Sequence, residues 1–478
     1  MLTTEQIKQL IDEDRSSHKK FFARQGQAYY DGDHDIRHYR LFYYNADGNL
    51  VEDKTRSNVK IPHTFFTELV DQTVQYILSG GDLFRSDIPE LQKELDGYFN
   101  SSEDFTAELS ETLTGCIVKG FDYMYAYKDS NNKIAFQHAE SEGIVEVREN
   151  ESDKEPQYVI YISVDRIEKN KKINRIQVWD KSSVYYFVEA DGKIFSDDSQ
   201  EINPRPHTLY KAGKVTKFKE FGFIPFFRLD NNRKQFSGLK PIKALIDDYD
   251  LMASSLSNNL VDFDTPIHVV KGVEGDNLDE LQTNLKTKKI IGLEATDSGA
   301  GVDIMTVDVP YEARKAKLEL DEKNIYRFGM GLNTSGLKDT SATTNIAIKA
   351  AYSLLDLKCS KLEIRLKQFL RKLLKPVLAE INESYETDYQ LNDVYFEFTH
   401  EVMSNASENA QIKLTKAQEE QVRINTLLNL QTYLDSETLM QNICDTLDID
   451  YEEIKSKLTV SADNGLDDAQ AALQGLTS

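Results

Sequence analysis

Histidine and carboxylate are the side chains that most often do chemistry near neutral pH, and in this chain they gather at Asp31, Asp33, His34, Asp35 and His38. Two histidines four apart on a helix share one face and can hold zinc, with a carboxylate between them as general base. Here that position is Asp35, one methylene shorter than the usual Glu, and Gly32 among the acids points to a loop. Read as a calcium loop, the Asp31, Asp33, Asp35 alternation puts Ile36 where a turn glycine is needed and Phe42 where a bidentate Glu is needed. A solvated polar loop is the expectation, and a metal-dependent hydrolase using His34 and His38 is kept only as a third reading.

The other catalytic patterns are weaker still. Gly299-Ala-Gly301 lacks the lysine and following helix of a phosphate loop, and no nucleophile elbow or paired-cysteine metal pattern is present. Cys116, Cys359 and Cys444 are far apart among apolar neighbours and read as reduced core thiols. The single tryptophan, Trp179, reads as packing within a strand. No catalytic residue, metal or cofactor is assigned, and an enzyme is not expected.

Composition points to a soluble protein of two to four domains. The 478 residues exceed what one core usually supports, and the start of the chain is polar, with Thr3 and Gln6 spaced as a capping box. No apolar run approaches the ~18 residues of a membrane span, so no membrane partner is expected. The net charge of −23 argues against a surface that grips nucleic acid throughout, though not against one past which DNA slides. Charge is uneven. Lys358 to Lys375 holds seven basic residues and one acid, Glu363, whereas Ser404 to Ser478 holds 13 acids and five bases.

The elements that must position these groups follow from periodicity. Residues 1–120 read as mostly helical, with a helix from Thr4 to Phe22, a hairpin over Arg40 to Glu52 about Asp47-Gly48, and a helix opened by Pro62 and closed by Gly80-Gly81. Two short helices follow near Ile88 to Tyr98 and Phe105 to Ile117. From Phe121 to Leu229 the period becomes two, which predicts antiparallel strands at Tyr123–Tyr127, Ile134–His138, Ile144–Arg148, Tyr158–Ser163, Ile173–Trp179, Val184–Val188 and Thr208–Lys211. Ser237-Gly-Leu-Lys-Pro starts a helix reaching Phe263. Ile267 to Val309 reads as an insert of about three strands and a short helix, and a helix resumes at Tyr311, giving a hairpin of helices with a small α/β knob at its tip. After a Gly/Ser/Thr break, Ile348, Tyr352, Leu355, Cys359, Leu362, Leu366, Phe369 and Leu373 recur at four and three, the seam of a long helix over about residues 346–382 that Pro376 should kink. A last strand over Val394 to Thr399 and polar helices from Ser407 onward complete an α+β chain.

This order of parts resembles the portal proteins of tailed bacteriophages, the head-to-tail connectors of long-tailed phages of Gram-positive hosts. The resemblance rests on Asn58-Val-Lys-Ile-Pro-His-Thr-Phe-Phe to Tyr76-Ile-Leu-Ser-Gly80, on Gly222-Phe-Ile-Pro-Phe-Phe with Ser237-Gly-Leu, and on Ile325-Tyr-Arg-Phe-Gly-Met-Gly. It continues through Thr344-Asn-Ile-Ala-Ile-Lys-Ala-Ala-Tyr352 and Leu357-Lys-Cys, with Thr344-Asn345 standing where the family often has Ser-Gly.

The resemblance implies a mostly helical portal fold with a β-rich wing, a helical stem hairpin, a small α/β clip and a helical crown. The wing would be 1–238 with a return at 385–403, the stem helices 239–263 and 311–330, and the clip 264–310. The tunnel loop would be 331–345, the tunnel helix 346–384, and the crown and C-terminal tail 404–478. It further implies a homo-oligomeric ring of about twelve subunits at one capsid vertex of the virion, assembled in the bacterial host cytoplasm. Double-stranded DNA would pass through it without sequence specificity during packaging and ejection. Terminase, a head-tail adaptor, scaffold and major capsid protein would be the other partners. Asn333, Thr334, Ser335, Gly336, Lys338, Asp339, Thr340 and Ser341 are the candidate channel residues, and Asp276, Glu280, Lys286 and Lys288 the candidate clip contacts for terminase or adaptor. A non-enzymatic cytoplasmic interaction or scaffold protein with a long helical arm is the alternative.

Overall fold

A computed structural model describes residues 2–54, 56–150, 153, 155–168, 171–212, 215–263, 267–271, 301–305, 310–333, 345–400, 406–430, 433–434, 436–447 and 451. The chain divides into two compact units, one of residues 1–338 and 351–401, the other of 339–350 and 402–478.

The first unit opens with α1 (Thr4–Arg15), started by the Thr3/Gln6 capping box. The sequence predicts one helix to Phe22, but Ser17 accepts a hydrogen bond from the Lys20 amide and so begins a second, α2 (His18–Tyr30). A hydroxyl placed to satisfy a free amide starts a helix more readily than it continues one. The predicted loop after it contains a 3₁₀ turn at Asp35–His38. The hairpin of β1 (Phe42–Tyr44) and β2 (Leu50–Glu52) follows in the expected place. Its Gly48 has φ +76°, and Asn45 Oδ1 accepts from the amides of Asp47 and Asn49.

Pro62 does not open the next helix. That helix, α3, spans Phe65–Leu78, and residues 57–64 before it are in neither helix nor strand. A two-residue strand β3 (Phe84–Arg85), the short α4 (Pro89–Leu95), a π turn at Asp96–Asn100 and α5 (Glu103–Lys119) complete the helical part.

Seven predicted strands are present as β4 (Phe121–Lys128), β5 (Ile134–Ala139), β6 (Ile144–Val147), β7 (Tyr158–Glu168), β8 (Lys171–Trp179), β9 (Ser183–Ala190) and β12 (Thr208–Ala212). Between and after them lie three that period-two reading passes over, β10 (Lys193–Ser196), β11 (Arg205–Pro206) and β13 (Val215–Lys219), before β14 (Phe226–Asp230). All pair antiparallel, in a sheet ordered β10-β9-β8-β7-β6 with β11 on β9, a three-stranded sheet β14-β4-β5, and a β12-β13 hairpin. The larger sheet is apolar on both faces. Val159, Trp179 and Val184 pack with Phe121, Tyr123 and Phe226, whereas the adjacent Ile160 and Val178 pack with Ile7 and Ile11 of α1. Alternation along each strand therefore serves two cores.

The chain then forms α6 (Lys243–Phe263), the paired strands β15 (Ile267–Lys271) and β16 (Gly301–Met305), and α7 (Tyr311–Gly329). The third predicted strand of this insert and its short helix lie outside the described residues. The long helix α8 (Asn345–Tyr385) continues through Pro376, and at 41 residues it would extend about 60 Å. Its seam is a core: Leu355, Cys359, Leu362, Leu366, Phe369 and Leu373 are buried. The predicted last strand shrinks to β17 (Tyr395–Phe396), paired with β3. In the second unit, α9 (Ala406–Asn429) packs with α10 (Ser436–Leu447), which buries Leu439, Ile443 and Cys444.

Candidate functional site

The first helix of the hairpin is held by a ladder between the segment of residues 57–63 and α6. The amides of Ser57, Val59, Ile61 and His63 donate to side chains of Asp262, Asn258, Ser254 and Asp250, at 3.2, 2.6, 3.0 and 2.8 Å. Two residues of extended chain advance about 6.6 Å and four residues of helix about 6.0 Å, so alternate amides meet every fourth side chain of α6. Pro62, which has no amide hydrogen, falls on the out-of-phase face. The polar residues Asp250, Ser254, Asn258 and Asp262, spaced by four along α6, are the sequence signal for this contact.

Asp250 is fully buried and also takes the rings of His34 (Nδ1 at 2.6 Å) and His63 (Nδ1 at 2.9 Å). Burial pushes its carboxyl up, but the hydrogen bonds from His34 and His63 outweigh that and hold it below the usual carboxylate range. His34 is itself fully buried, stacked on Tyr29 at 4.5 Å, with Nε2 at 3.2 Å from the Tyr29 carbonyl. His38 is exposed beside Asp33. The two histidines thus do not converge on one site. His34 instead locks α6 to the N-terminal helices.

α6 and α7 pack along each other. Lys317 of α7 bridges Asp248 and Asp321, and Arg314 donates to the Asn259 side-chain oxygen. At the other end of α7, Met330 adopts the left-handed cap conformation and the Gly331 amide donates to the Tyr326 carbonyl at 3.0 Å. Tyr326 donates to Glu68 at 2.6 Å and lies edge-on to Phe65. Gln72 of α3 holds both sides of Leu332, accepting from its amide and donating to its carbonyl at 2.9 Å each. A Cβ on Gly331 would sit 2.0 Å from Leu69 Cδ2, so a larger residue here must displace the buried Leu69 side chain. Asn333 reaches Glu322 at 3.4 Å. The start of the candidate channel loop is therefore clamped to α3.

The long helix is tied to the same region. Lys358 donates to the Gly329 carbonyl at the C-terminal end of α7, a favourable place for a cation, although burial pushes its pKa down to about 8. Cys359 lies against the Thr73 carbonyl, and burial raises its thiol to about 12. Tyr352 stacks on Tyr76, which stacks on His400, which in turn pairs with Glu363 at 2.9 Å. Toward the C-terminal end, Glu380 takes Lys128, the Tyr98 hydroxyl at 2.8 Å and the Ile134 amide at 3.1 Å, joining α8 to the three-stranded sheet.

Of the predicted channel residues, Asn333 is placed as above, and Thr334, Ser335, Gly336, Lys338, Asp339, Thr340 and Ser341 lie outside the described residues. So do Asp276, Glu280, Lys286 and Lys288. The basic run separates into roles: Lys358 caps α7, while Lys361, Arg371 and Lys375 are exposed.

The family model for phage portal proteins of the SPP1 Gp6-like type matches residues 8–444, spanning the ladder, the hairpin and the long helix together. The chain belongs to the phage portal protein family. It is 29% identical over 372 residues to the portal protein of Bacillus phage SPP1, covering 77% of this chain and 71% of that one. It is 26% identical over 420 residues to the portal protein of Clostridium phage phiCD119, covering 85% and 88%. A chain from the virion of a native gene transfer agent particle aligns over 70% of this portal chain and 80% of its own length at 13% identity, with a TM-score of 0.41.

Proposed function

We propose that this portal protein forms a homo-oligomeric ring of about twelve subunits at one capsid vertex. Terminase packages double-stranded DNA through its channel, and the DNA later leaves by the same route. The role is mechanical rather than catalytic. The observation that carries it is the family match across nearly the whole chain, which includes the helical hairpin and the long helix. In this reading residues 1–238 and 385–403 form the wing, 239–263 and 311–330 the stem, 264–310 the clip, and 404–478 the crown and tail. The ring assembles in the host cytoplasm with scaffold and major capsid protein and remains in the virion.

Residues 331–345 are proposed to line the narrowest part of the channel. Lys338 and Asp339 lie among small polar residues, a composition that touches phosphate weakly without reading sequence. The clip, with Asp276, Glu280, Lys286 and Lys288, would receive terminase during packaging and the head-tail adaptor afterwards. Light scattering coupled to size exclusion tests the ring: an assembly near a dozen copies supports it, and a monomer or dimer at every concentration refutes it. Deleting Gly336 to Ser341 tests the channel role. Rings should persist while packaging or retention of DNA falls, and unchanged packaging would remove the loop from the mechanism.

A further inference from the structure

The outward face of α8 carries a second seam. Leu357 and Ile364 are each 62% exposed. With Lys361, Gln368, Arg371 and Lys375 they recur at alternating spacings of four and three, the spacing of a helix face that packs lengthwise on a partner. Among the described residues, Lys361, Arg371 and Lys375 form no ion pair, although Lys367 beside them lies over the Phe398 ring. Phosphates would engage the cations but leave Leu357 and Ile364 in water, whereas an acidic protein surface can cover both.

The chain also carries a surface of the opposite sign. The outward face of α3 borders an open groove of about 800 Å³ that includes Glu68, Asp71 and Gln75. Glu68 accepts from Tyr326 and Gln72, and Asp71 from Tyr30. These are neutral donors, so among the described residues neither carboxylate meets a cation. A closed ring is built from heterologous contacts, in which one patch of a subunit meets a different patch of the next. Two surfaces of opposite sign on one chain, neither neutralised among the described residues, meet that requirement.

We propose that the outward seam of α8 docks on the acidic α3 groove of a second copy of this chain, and that this contact helps close the ring. The inference rests on the portal reading and names the surfaces that the reading leaves open. Cys116, Cys359 and Cys444 are buried, so labelling chemistry on the surface is free of native thiols.

The test places p-benzoylphenylalanine at Ile364 of the full chain, followed by irradiation of assembled rings and peptide mapping. Adducts between subunits within residues 62–75 are expected. Rings whose adducts lie only within one chain, or on added DNA, overturn the proposal while leaving the portal reading intact. In parallel, Lys361→Glu, Arg371→Glu and Lys375→Glu together should lower the assembled fraction by mass photometry at least tenfold, with far-ultraviolet circular dichroism unchanged. Assembly at the wild-type concentration would also overturn it. If the triple variant fails to fold, the crosslinking result decides. Wild-type protein that stays monomeric at every concentration removes both readings together.

Discussion

Replacing Asp250 with alanine should unzip the segment that fastens α6 to the N-terminal helices. The carboxylate accepts from the His63 amide and faces the rings of His34 and His63, at 2.6 to 2.9 Å, in a fully buried position. Removing a buried carboxylate and leaving its three hydrogen-bond donors desolvated costs about 3–5 kcal/mol. Asp250→Asn keeps the shape and one acceptor and should cost about 1.5–3 kcal/mol. Burial raises and the histidine hydrogen bonds lower the Asp250 pKa, with a net depression. Its contribution is therefore complete above the ordinary carboxylate value of about 3.9 and is lost as pH falls through the lower folded value. The asparagine variant should lack that acid-side loss. Urea unfolding followed by the single Trp179 reads global stability, and hydrogen exchange at the amides of Val59, Ile61 and His63 reads the ladder itself. Wild-type protection at Ile61 and His63 in Asp250→Ala, with a stability change below about 0.5 kcal/mol, would refute the assignment.

Three further outcomes are expected. Gly331→Ala places a methyl against Leu69 and should cost about 1–3 kcal/mol in denaturant unfolding, with raised exchange at the Leu332 amide; no change would mean that the Leu69 side chain moves aside freely. Lys358→Met should remove a pH dependence. Wild-type Lys358 titrates near 8 when folded and near 10.4 when unfolded, so wild-type stability should rise relative to the variant as pH climbs through that window, which melting curves at pH 7, 9 and 10.5 would follow. Glu380→Ala leaves Lys128, Tyr98 and the Ile134 amide without their acceptor and should lower stability by about 3–5 kcal/mol, measured by urea midpoint.

Local pattern determined a large part of this protein. The capping box at Thr3, the Asp47-Gly48 hairpin, the period-two strands and the four-three seam of the long helix each encode an element through contacts between near neighbours, so they are legible in one dimension. The order of those elements, carried by the quoted strings, also sufficed to place the chain among phage portal proteins. Tertiary structure decided the rest. His34 and His38 invite a metal reading by spacing, yet His34 is buried because its partner is Asp250, 216 positions away. Pro62 suits a helix start, but the segment stays non-helical because its alternate amides are satisfied by a helix nearly 200 residues later. Lys358 sits in a basic run and looks like its neighbours, and only the arrival of the Gly329 carbonyl separates it from Lys361 and Lys375. In each case the deciding partner is distant in sequence, and the free energy of satisfying a buried polar group outweighs the local preference.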